Sequence, residues 1–170
     1  MSRRKAGGPG GEIAVLLHLL DEAYGKTAWH GPNLTGSLRG VTAREAAWRP
    51  APGRHNIQEL AVHAAYWKYV VRRRMTGEKR GSFPIEGSNF IELPVADPAA
   101  WKSARGVLER EHRALRAAVE GFPPERLRKA LPGTRGRTAL REIAGIAMHD
   151  VYHTGQIQLV KTLQRKRRAG

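Results

Sequence analysis

Four long stretches with helical apolar spacing, no run of β-branched residues and a connection of about twenty residues mid-chain predict an all-α fold. The arrangement that fits is a four-helix bundle with a short extra helix after the first long one. At 170 residues the chain suits one domain with a real core. The domain is expected over 12–164. Residues 1–11, MSRRKAGGPGG, read as a disordered basic tail whose Gly/Pro run lacks the apolar centre of a signal peptide. Residues 165–170 read as a basic C-terminal tail.

The first helix opens at Glu12, with Ile13, Leu16, Leu17 and Leu20 at core spacing. Gly25 weakens it, and Gly31-Pro32 ends the stretch beyond that glycine. Thr42 with Glu45 three residues later has the form of a capping box, so a short helix starts there and stops before Pro50. Asn56 and Glu59 repeat that pattern and open the second long helix, which runs to about Thr76 with Leu60, His63, Trp67 and Val70 or Val71 facing inward. Residues 77–96 contain Gly77, Gly81, Pro84, Gly87 and Pro94, and form a connection long enough to cross the bundle. Asp97-Pro98 sets the N-cap and first position of the third helix, which passes through Trp101, Leu108, Leu115 and Val119 to Gly121. Thr138 caps the last helix, expected over 139–164.

Composition narrows the function. There is no cysteine, so a metal site must be built from His, Asp, Glu or backbone groups. No apolar stretch approaches the roughly 18 residues that span a bilayer, and a cytoplasmic protein is expected. The formal charge of +15 raises the question of nucleic acid. The basic clusters are Arg3–Lys5, Arg72–Arg74, Lys79–Arg80, Arg126–Lys129 and Arg165–Arg168. They are scattered, and do not form one stripe interleaved with aromatic residues, so non-specific polyanion binding is expected of them.

The histidines carry more. In MHDVYHTGQIQLV (148–160), His149 and His153 stand among the inward positions of the last helix. Residues at i and i+4 lie about 40° apart on one helical face, which lets both imidazoles reach one ion. His63 interrupts the apolar stripe of the second long helix in the same way. Three imidazoles replacing core residues on two facing helices are costly unless something coordinates them. Hydrogen bonding of half-buried rings to neighbouring side chains is the other reading. A three-histidine centre with open positions is catalytic rather than structural in type. His30, between Trp29 and a Gly-Pro turn, is a candidate for lining the pocket, while His18, His55 and His112 read as solvated or peripheral. Asp150 is a candidate base or acceptor for a ligand N–H, or else a salt-bridge partner. Tyr66, Trp67, Tyr152 and Gln156 are pocket candidates, equally accounted for as helix packing.

Taken together, AWHGPNL, RHNIQELAVHAAYWKYVVRRRMTG, the acid-plus-proline start DPAAW and GIAMHDVYHTGQIQLVK resemble the DinB-like superfamily over residues 12–164. The resemblance implies an up-down-down-up four-helix bundle. It further implies a divalent metal, nickel or zinc, held by His63, His149 and His153. Homodimers, and reactions in which water or a low-molecular-weight thiol acts on a small substrate, are also implied. One fold hosts many chemistries, so the substrate does not follow from it.

Overall fold

The computed structural model describes residues 11–93 and 95–169. Among them it has six α-helices and no strand, with two isolated bridges pairing Ala28 with Gly31 and Ala130 with Thr138. The helices are α1 (Glu12–Tyr24), α2 (Leu34–Leu38), α3 (Ala43–Ala47), α4 (Ile57–Thr76), α5 (Pro98–Glu120) and α6 (Ala139–Ala169). A 3-10 turn, Pro124–Arg126, comes after α5. No described helix is long and apolar enough to cross a membrane.

The caps read from sequence are made. Thr42 and Glu45 close a capping box on α3, and Asn56 and Glu59 close one on α4. Asp97 accepts from the backbone N–H groups of Ala99 and Ala100 at the start of α5. The Thr138 hydroxyl accepts from Arg141 N–H at 3.3 Å ahead of α6. Gly77, at φ 79°, ends α4 in the left-handed conformation that suits a residue without Cβ.

Two elements differ from expectation. Helix α2 adds a second short helix after α1, capped by Asn33 accepting from Gly36 N–H at 2.8 Å; five residues including a glycine are too few to show a period. Helix α6 continues to Ala169, so residues 165–169 are helical rather than a tail. Its last turns are rich in Lys, Arg and Gln, good helix formers, and cations at a helix C-terminus are favoured by the macrodipole. The expected N-terminal tail falls on residues 1–10, outside the described residues, and on Gly11.

Helix α4 packs against α5 and α6, and α1 packs against the same two. The apolar interior is in two parts. One gathers α2, α3, the first half of α4, the start of α5 and the end of α6; the other gathers α1 with the end of α4, the end of α5 and the start of α6. Three of the long helices also contribute polar residues to the interior: His63 and Lys68 on α4, Glu111 and His112 on α5, Asp150, His153 and Thr154 on α6. His63 and His153 of the expected metal site lie in this polar layer.

The connection 77–93 lies over α4. Leu93 N–H donates to Glu59 Oε1 at 3.1 Å, and Asn56 Nδ2 donates to the Leu93 carbonyl at 3.1 Å. Near its start, Gly81 N–H donates to the Tyr69 hydroxyl at 3.1 Å. Both ends are therefore anchored on α4.

Candidate metal centre

The polar layer brings His63 from α4 against His149 and His153 from α6. His149 Nε2 lies 3.0 Å from both His63 Nε2 and His153 Nε2. One ligand atom from each ring falls within 4.8 Å of the others. His63 and His153 are buried and His149 is half-buried, so the cluster has one side towards solvent.

The outer ring nitrogens decide the protonation states. His63 Nδ1 meets the Asn89 carbonyl at 3.2 Å, and a carbonyl only accepts, so Nδ1 carries the proton. His153 Nδ1 donates to Gln156 Oε1 at 2.6 Å, while Gln156 Nε2 donates to the Tyr152 hydroxyl at 3.3 Å. In the neutral rings both Nε2 atoms are then bare lone pairs aimed at His149. A single proton on His149 Nε2 can serve only one of them, and its Nδ1 is buried with no hydrogen-bond partner. Hydrogen bonding within the cluster is therefore incomplete, whereas one cation would engage all three lone pairs. The donor set fits a divalent transition metal.

Burial, reinforced by the His153 ring, holds the His63 imidazole down to about 4. Burial, then His153 and His63, holds His149 down to about 3. Burial also lowers His153, against its bond to Gln156. All three are neutral at pH 7, the form that ligates.

Helix geometry places these rings and the loop finishes them. Asn89 sits at φ 57°, a left-handed conformation that asparagine tolerates, with its carbonyl on His63 and its side-chain oxygen accepting from Trp67 Nε1–H at 3.0 Å. Phe90 stacks on His63 at 3.8 Å between ring centroids, and His55 stacks on the other face of Phe90 at 3.7 Å. A cavity of about 130 Å³ reaches His149, walled by Trp67, Val71, Ile146 and an Arg137–Glu142 pair at 2.5 Å.

The DinB superfamily's family model matches residues 26–157, more than three quarters of the chain. The chain belongs to the DinB superfamily. The matched stretch holds all three histidines, Asn89, Gln156 and the whole of α4 and α5. No curated protein and no solved structure matches the chain.

The remaining candidates of this DinB-superfamily chain divide sharply. Gln156 and Tyr152 stand in line behind His153, and Trp67 stands beside His63 with its ring edge-on at 6.4 Å. Tyr66 packs edge-on against Trp67, with 6.0 Å between ring centroids. His30 is exposed on the turn after α1 and makes no hydrogen bond or ring contact with the three histidines. Asp150 does not face them either. It is fully buried and bonded through both oxygens to the ammonium of Lys68, itself fully buried. Burial pushes the Asp150 carboxyl up and the Lys68 ammonium down, each opposed by the other's charge. No ligand imidazole hydrogen-bonds to Asp150; the salt-bridge alternative is the one the structure has, and it is internal.

Sequence reading missed Lys68, Asn89, Phe90 and the burial of His112. Lys68 had a signal: it falls on the stripe Ile57, Leu60, Ala61, Ala64, Val71 and Met75, where a lysine needs a buried anion. His112 stacks on Tyr24 at 3.5 Å, and burial holds it down to about 3. Nothing local marked Asn89 or Phe90 within a glycine-rich connection.

Proposed function

We propose that this protein is a metal-dependent enzyme in which His63, His149 and His153 hold one divalent transition metal, nickel or zinc, and a small substrate reacts beside His149. The observation that carries the reading is the convergence of three imidazole nitrogens, with the outer N–H groups of His63 and His153 already committed to Asn89 and Gln156. A cation there would lower the pKa of a bound water or small thiol, and in the second case supply the reactive thiolate that a cysteine-free chain lacks. The chain's own residues do the rest. Asn89 and Gln156 fix the tautomers and ring planes of His63 and His153. Phe90 closes one face of His63 against water. Trp67, Val71 and Ile146 give the reacting cavity an apolar wall, suited to a small organic molecule rather than a polymer. Hydrolysis by water and transfer to a low-molecular-weight thiol are the two reactions such a site supports.

The proposal includes an up-down-down-up four-helix bundle of α1, α4, α5 and α6, supported by the packing of α1 and α4 each on α5 and α6. It also includes action in the cytoplasm and a homodimer. Met148, Tyr152, Leu159 and Leu163 leave an exposed apolar line at four- and seven-residue spacings along α6, which supports the dimer, and sedimentation checks it. Elemental analysis of protein purified without a metal-affinity tag tests the central claim. About one equivalent of nickel or zinc is expected, with thermal stabilisation of stripped protein on adding either ion. Less than about a tenth of an equivalent with no stabilisation would overturn it.

A further inference from the structure

A second recess flanks the histidine centre, a cavity of about 490 Å³ between α4 and the connection 77–93. Its walls are aromatic: Tyr66, Trp67, Tyr69 and Phe83, with Phe83 edge-on to Tyr66 at 5.3 Å. Its polar side is cationic, formed by Arg73, Arg74 and Arg80. Arg74 is bonded to Glu142 at 2.8 Å. Arg73 and Arg80 have no ion pair among the described residues, although the acid-paired Arg72 and Arg74 lie next to Arg73 on α4. The Nε atoms of Arg73 and Arg74 are buried without a hydrogen-bond partner. Glu86, exposed at the rim, is the one acidic residue among those lining the cavity.

A buried guanidinium N–H without an acceptor costs free energy unless an anion or water meets it. Neighbouring arginines could all have been paired within the chain, as Arg72 and Arg74 are. We propose that this recess is a binding site for a small aromatic anion, an aryl carboxylate or aryl phosphate. Arg73 and Arg80 meet the charged group in fork geometry and the four rings pack the aryl part. The volume is that of a small-molecule site, too small for a folded or polymeric partner. Trp67 lines this recess and the small cavity at His149 alike, and its indole N–H holds Asn89, which in turn holds His63. If the histidine centre is catalytic, as proposed above, the occupant is the anionic end of its substrate. The anion site itself requires no metal.

Calorimetric titration of chelator-treated full-length protein at 150 mM salt tests it, using benzoate, phenyl phosphate, inorganic phosphate and benzyl alcohol as probes. The two aryl anions should bind at least about ten times tighter than benzyl alcohol, as charged hydrogen bonds require. They should also bind tighter than inorganic phosphate, because the rings are engaged. Arg73→Gln should weaken aryl-anion binding by about ten-fold or more, and Arg80→Gln by several-fold. Arg39→Gln, in a separate basic hollow beside Lys102, should leave it unchanged. His149→Ala should bind the anions as well as the parent chain, so that loss of the metal reading and loss of this site are separately visible. Equal affinity for benzoate and benzyl alcohol would overturn the proposal. So would equal effects of Arg73→Gln and Arg39→Gln, or a single-stranded DNA 20-mer outcompeting both aryl anions with no preference among the three arginines.

Discussion

Two buried polar clusters join α4 to α6 within the same layer, and they solve the cost of burial in opposite ways. Lys68 and Asp150 neutralise each other; both carboxylate oxygens are engaged and neither side chain meets solvent. His63, His149 and His153 present three lone pairs to one another and leave His149 Nδ1 without a partner. The charge pair is complete as it stands, so it is structure. The histidine cluster is not satisfied by its own hydrogen bonds, and its three nitrogens could hold a metal ion. The contrast teaches that burial and perturbed ionisation alone do not mark function: burial pushes the Asp150 carboxyl up, yet its partner is Lys68 and not the histidines.

The sharpest way to break the comparison is to open the charge pair. Lys68→Met strands a carboxylate in the core and should cost about 3–5 kcal/mol in urea unfolding, with Asp150→Leu alone costing a similar amount. The double variant should recover most of that loss; equal costs that simply add would show the pair to be uncoupled. On the other side, His149→Ala should reduce metal content from about one equivalent to below about a tenth while far-UV circular dichroism is unchanged. Full metal content in that variant would remove His149 from the ligand set. Gln156→Leu removes only the partner of His153 and should weaken metal binding by about 10–100-fold, read by competition with a chromophoric chelator.

The smallest effect concerns pH. His112 is neutral in the fold at about 3 against an ordinary 6.5, because burial beside Tyr24 and the Lys68 charge disfavour its imidazolium. The unfolded chain therefore takes up a proton that the folded one refuses between these values. This contribution is complete above about pH 6.5 and is lost as pH falls towards 3. From pH 7 to pH 5 it amounts to up to about 2 kcal/mol. His112→Leu should flatten that part of the stability profile, measured as the urea midpoint at the two pH values. His63 and His149 add losses of the same sign in metal-free protein, and a bound metal, which needs both rings neutral, should leave those losses in place.

Much of this was legible in the chain itself, and the reason is periodicity. Ile13, Leu16, Leu17 and Leu20, the boxes at Thr42 and Asn56, and the Asp97-Pro98 start define their helices through local interactions, which sequence spacing exposes directly. The histidine convergence was legible for the same reason, since 149 and 153 share a face and His63 sits on a facing stripe. What was hidden depends on contacts distant in sequence. Asn89 reaches His63 across 26 positions, and Lys68 reaches Asp150 across 82. His30, by contrast, looked well placed because it stood beside a tryptophan and a turn, yet Trp29 is 97 % exposed and His30 is exposed with it.

The Lys68–Asp150 pair also bears on how related chains can differ. Either side chain alone, without its counterpart, leaves a lone charge in the core, whereas two matched apolar residues would be tolerated. Descent through single substitutions must then cross a poorly folding intermediate to leave this arrangement. Positions 68 and 150 should accordingly change together or not at all among relatives, a statistical signature that an aligned set of such sequences would reveal without any experiment on the protein.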